Sequence, residues 1–205
     1  MSLMPVFDRF PKEGEIIGKL VVGYGELEID WVECLTPIFG SFTIASRVMY
    51  RLRSEGNRFD VGDAVLRPYY EGIGLGAAYV GAFNVFARCK KIRNNHAHCL
   101  WADKGENLFF ASLEEIAKTR TGEGNLTFYH VDIKLLTQQL ELFEHCQYQL
   151  WHLRHEAAAK KEMKTQTQFL MPKELQLPPL HNPIETSPRY SQGKQSTDPQ
   201  GGPAQ

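Results

Sequence analysis

The 205-residue sequence has little cysteine, no marked excess of either charge and no uncharged run long enough to cross a bilayer. Its four cysteines, Cys34, Cys89, Cys99 and Cys146, are far apart and include no CxxC pair. That spacing argues against a zinc framework or a disulfide scaffold and suits buried thiols in a reducing, cytoplasmic compartment. A formal net charge of -1 excludes a generally basic nucleic-acid binder, so any RNA contact must come from a local patch. The uncharged stretch from Gly72 to Ala87 falls short of the roughly 20 residues of a membrane helix and contains Asn84 and several glycines. It is expected to be a buried core helix, with no membrane involved. From Asp8 to Glu15 the chain mixes acidic and basic residues instead of running basic then apolar, so no export signal is expected.

What is present is enough apolar material, 42% hydrophobic and 11% aromatic, to fill one core in one domain. Residues 1–15 read as a leader, too short and mixed to fold alone. From Ile17 to Phe39 the set Leu20, Tyr24, Leu27, Trp31, Leu35 and Ile38 recurs at three- and four-residue steps, the pattern of an amphipathic helix. Ser41 can cap a second helix with Ile44, Val48, Met49 and Leu52 inward and Arg47, Arg51 and Arg53 outward. A short helix over Asp60–Glu71 should be interrupted by Pro68, and a long buried helix should run from about Leu75 to Trp101.

Between about 107 and 131 the pattern turns to β type, with Leu108-Phe109-Phe110 and Leu126-Thr127-Phe128-Tyr129 as a small hairpin and a short helical piece near Leu113–Lys118. Helical period returns from Asp132 to about Lys161 through Ile133, Leu136, Leu140, Phe143, Leu150 and Leu153. Residues 163–205 hold seven of the eleven prolines and no periodic apolar face, which predicts a disordered tail.

The chemistry concentrates in Arg93-Asn94-Asn95-His96-Ala97-His98. A guanidinium stays charged and fits phosphate oxygens bidentately, while an imidazole near neutrality can take or give a proton. Together an arginine, an amide and an imidazole so close in sequence are a small kit for phosphate chemistry. Asn94 and His98 are four residues apart and share a helix face, but Arg93 and His98 are about 140° out of phase. Glu28 could hold the Arg93 fork, and Arg88, Lys90 and Lys91 could track an RNA backbone or form a solvated face. No metal site is expected from the histidines, and Gly72, Gly74 and Gly76 lack the strand and third glycine of a dinucleotide loop. Trp31, Trp101 and Trp151 are expected in the core.

Over about residues 17–160 the helical order and the Arg93-Asn94 to His98 spacing resemble the HEPN superfamily of helical-bundle proteins. Gly25-Glu26-Leu27-Glu28 in the first long helix and Ala97-His98-Cys99-Leu100-Trp101 after the arginine look like a recurrent bacterial version. The resemblance implies a mainly α, HEPN-like domain over 16–162 with a β-hairpin insertion, acting without cofactor as a metal-independent endoribonuclease in a toxin or defence setting. It assigns Arg93 to phosphate and transition-state charge, His98 to proton transfer and Asn94 to orientation, with Glu28 and His96 as supporting candidates. His96 lies nearer the face of Arg93, and the resemblance favours His98. It also implies a homodimer whose site is shared between copies, and allows an antitoxin or other protein partner. The alternative is a non-catalytic dimeric module that binds RNA, a nucleotide or a protein.

Overall fold

The computed structural model describes residues 4–114, 127–162 and 170–183. Among them the chain forms helices α1 (Pro5–Arg9), α2 (Pro11–Glu33), α3 (Thr36–Phe39), α4 (Phe42–Met49), α5 (Glu55–Gly72) and α6 (Gly76–Ala97). Strands β1 (Cys99–Lys104), β2 (Asn107–Ser112) and β3 (Phe128–Val131) follow, and α7 (Ile133–Lys161) closes the bundle. The mainly helical class with a small β unit is as the sequence predicts.

The core lies where α2 packs along α6 and α7 and α5 packs along α6. Leu20, Tyr24, Leu27 and Trp31 of α2 are buried, as their spacing requires. The Trp31 indole stacks on Phe59 and Phe86, with ring centroids 5.9 and 5.3 Å away. It also lies against Gly62, where a Cβ would come within 2.0 Å of the indole edge, so only glycine lets α5 pass this close. A polar bridge joins α2 to α7: Trp151 Nε1 donates to Asp30 at 2.9 Å and Gln147 Nε2 donates to it at 3.0 Å.

Several expectations need correction. From Met4 onward the expected leader is part of the fold: Val6 is buried, and Arg9 of α1 pairs with Asp103 and donates to the Gly105 carbonyl at 2.8 Å. Ser41 does cap α4, accepting from the Ile44 amide at 3.3 Å, but the helix turns Ala45 and Met49 inward and leaves Ile44 and Val48 exposed. Helix α5 runs unbroken through Pro68, because Pro68 and Ala64 are both exposed and water can satisfy the freed carbonyl.

The long helix stops at Ala97, and Cys99, Leu100 and Trp101 belong to an edge strand instead. The β unit is therefore a three-stranded antiparallel sheet in the order β1-β2-β3, with Gly105 at φ 62° in the β1–β2 turn. Most of the helical piece expected at Leu113–Lys118 lies outside the described residues.

The tail differs most. Residues 170–183 lie extended against α6, α7 and β3. Arg88 Nε donates to the Pro178 carbonyl at 3.0 Å, and Gln139 Nε2 to that of Pro179 at 2.9 Å. The Asn182 amide donates to the His130 carbonyl at 2.9 Å, and its side chain to Asp132 at 3.1 Å. The His181 ring stacks on Tyr129 with centroids 4.1 Å apart. No apolar period marks such a segment in sequence, because it is held by main-chain carbonyls, the Asn182 amides, the His181 ring and a single partly buried leucine, Leu180. Residues 163–169 and 184–205 lie outside the described residues.

Candidate functional site

The Arg93 motif occupies the last turn and a half of α6, and its members diverge. Arg93 faces α2 and α5: its Nη2 is 2.9 Å from Glu55 Oε2, and its guanidinium carbon sits 4.5 Å above the Tyr24 ring. The side chains of this pair are 19% and 23% exposed, so the charge is partly desolvated and held from two sides. The Tyr24 phenol is driven above its usual range by burial first, then by the Glu55 carboxylate beside it.

Glu28 does not hold Arg93. It takes Arg58 instead, with Nε 2.6 Å from Oε1. Arg58 also donates to the Leu52 carbonyl at 3.2 Å and lies 5.4 Å from the Tyr50 ring centroid. Two arginine–glutamate pairs therefore tie α2, α5 and α6 together around Tyr24. Sequence reasoning missed Glu55 because nothing local marks it: it is the first residue of α5, after the Ser54 cap.

The two histidines separate cleanly. His96 is 3% exposed, its Nε2 lies 2.8 Å from Gln139 Oε1, and its ring stacks on Trp101 with centroids 5.6 Å apart. Burial pulls its pKa below the ordinary value, and the Gln139 hydrogen bond only partly offsets this. Through Gln139 the same chain of contacts reaches the tail at Pro179. His96 is thus a buried residue that packs α6 against α7 and β1. His98 caps the end of α6, with its backbone amide on the Asn94 carbonyl at 3.0 Å, and is exposed. Asn94 is half-buried, and its Oδ1 has no hydrogen-bond partner among the described residues.

Arg93 and His98 are therefore not brought together within one chain. Arg93 is turned into the bundle onto Glu55, while His98 is the exposed, non-helical residue that follows the last turn of α6. The basic trio is also dispersed. Arg88 is bound to the tail, Lys90 Nζ sits 4.5 Å from the Phe59 ring centroid, and Lys91 alone is exposed. Among the described residues there is no group of three or more His, Cys, Asp or Glu arranged to hold a metal, and no helix long and apolar enough to cross a membrane. Trp31 is buried, while Trp101 and Trp151 are half-buried with intramolecular partners, so none presents a free stacking platform. Burial pushes the Cys34 and Cys99 thiols up to about 12, far from a reactive thiolate.

The outer face of α3 and α4 is a second candidate. Ile38, Phe42, Ile44, Val48 and Tyr50 are all exposed there, beside exposed Arg47, Arg51 and Arg53. Phe42 also lines a groove of about 370 Å3 together with Pro37, Ala157 and Ala158 and the charged Glu33, Arg154 and Lys161. No family model matches the chain, and no curated protein or solved structure matches it.

Proposed function

We propose that the chain is a non-catalytic helical module that binds a protein partner on the outer face of α3 and α4. The observation that carries this reading is that Ile38 of α3 and Phe42, Ile44 and Val48 of α4 are all exposed, with Ile44 and Val48 one helical turn apart and Arg47, Arg51 and Arg53 exposed in and just after the same helix. Several large apolar side chains left exposed on two helices in contact are costly in water and mark a candidate interaction surface. The arginines select a partner that is acidic as well as apolar, such as an amphipathic helix with Leu and Glu on one face. The motif at the end of α6 fits the same reading, since Arg93 and His96 are both committed to holding helices together.

The test is titration of the labelled chain with a Leu- and Glu-rich amphipathic helical peptide. Saturable binding that Ile44→Glu and Val48→Glu abolish, with unchanged melting temperature, supports the reading. Binding that neither substitution weakens sinks it.

A second reading, the HEPN-type ribonuclease, rests on one specific observation: His98 is exposed and the Arg93 fork is pre-oriented by Glu55. It requires a second copy to set the His98 of one chain beside the Arg93 of the other. Its test is cleavage of single-stranded RNA in the presence of a chelator. Products ending in a cyclic phosphate, lost with His98→Ala, would establish the enzyme and displace the module.

A further inference from the structure

We infer that the chain pairs with a second copy of itself through the exposed face of α2, the two helices running antiparallel. This goes beyond the α3–α4 surface and uses a different part of the molecule. Along α2, Gly18, Val22, Gly25 and Ile29 follow one another at steps of four, three and four residues, and all four are exposed. That spacing is the seam of a two-helix coiled coil. Val22 is 76% exposed, more than any other large apolar residue in the described helices and strands.

The glycines have no explanation inside the protomer. A Cβ built at Gly18 or Gly25 would meet nothing within 4 Å, and neither has a positive φ. Glycine in an exposed helix interior weakens the helix relative to alanine. Room for another backbone or side chain at these positions supplies the missing reason.

The stripe is self-complementary in one direction only. About a two-fold axis midway between Val22 and Gly25, Val22 fills the hole at the partner's Gly25 and Ile29 fills the hole at the partner's Gly18. A parallel pair would set valine on valine and glycine on glycine, leaving gaps between bulges. The flanking charges agree. Lys19 and Glu26 lie seven residues apart on one side of the stripe, so antiparallel pairing brings each Lys19 to the partner's Glu26. Lys19 at present lies 2.6 Å from Glu15 with both side chains more than half exposed, a pair weak enough to exchange.

The experiment is light scattering and sedimentation of the full chain at tens of micromolar protein, with four variants. The unmodified chain is expected to be a dimer. Val22→Glu should make it monomeric without lowering the melting temperature of the dilute protein. Gly25→Leu should also give a monomer, and one that melts higher at low concentration because the glycine has left the helix. Lys19→Glu should weaken the dimer by about tenfold, and Lys19→Glu with Glu26→Lys should restore it, because the exchanged charges again face opposites. A monomeric parent, a dimer that survives both Val22→Glu and Gly25→Leu, or a double exchange that stays weak would each overturn the proposal.

Discussion

Arg93 is bound to Glu55 across the gap between α6 and α5, with 2.9 Å between Nη2 and Oε2 and the Tyr24 ring beneath the guanidinium. A pair so placed is neither a surface salt bridge nor a fully dry one. Arg93→Ala leaves Glu55 half-buried without its counter-charge and should cost about 2 kcal/mol, between the values for exposed and buried pairs. Glu55→Ala should cost a similar amount. In urea unfolding, the double variant should cost clearly less than the sum, and simple additivity would show that the pair is not coupled.

Gly62→Ala is expected to be among the more damaging small substitutions, because the added carbon would come within 2.0 Å of the Trp31 indole. Neither the indole nor the α5 backbone can yield freely among the surrounding rings. Overpacking of this kind costs about 1–3 kcal/mol. Chemical denaturation measures it. A neutral result would mean that α5 can shift away from α2.

Removing residues 170–205 should lower the melting temperature by several degrees, about the effect of 1–2 kcal/mol on a domain of this size. The loss comes from uncovering Gln139, Arg88 and Asp132, which now donate to or accept from the segment. Asn182→Ala alone should give part of that shift. A truncated protein that melts like the full chain would show that the segment contributes nothing to the bundle.

His96 makes stability depend on pH in a defined direction. Its pKa in the folded chain is below the ordinary 6.5, through burial, so the unfolded chain binds its proton more readily. The stability it contributes is complete above about pH 6.5 and is lost as pH falls below that toward the folded value. Burial lowers His145 and His155 as well, and they act in the same sense. Replacing His96 with Asn should reduce the slope of unfolding free energy between about pH 6.5 and 5. An unchanged slope would place the dependence on the other two.

Much of the bundle was legible in the sequence because a half-buried helix needs its apolar residues at regular steps. Leu20, Tyr24, Leu27 and Trp31 give α2, and Leu136, Phe143 and Leu150 give α7. The same rule misled where a short helix offers two apolar stripes. In α4, Ile44 and Val48 have the spacing of an inner face, but Ala45 and Met49 fill the narrow space beside α2 and α3. It also missed β1, since Cys99-Leu100-Trp101 extends the apolar period of α6 and only pairing with β2 makes it a strand.

The sequence by itself determined that this is a mainly helical chain with a β unit after α6, and that an arginine, two amides and two imidazoles cluster between Arg93 and His98. Those properties follow from local periodicity and residue type, which every segment carries with it. Only the tertiary structure decided that Arg93 belongs to Glu55 while Glu28 belongs to Arg58, and that His96 is locked to Gln139 while His98 is exposed. Each of those outcomes depends on which distant residue lies opposite, a relation set by the packing of α2, α5 and α7 around α6 and carried by no local pattern.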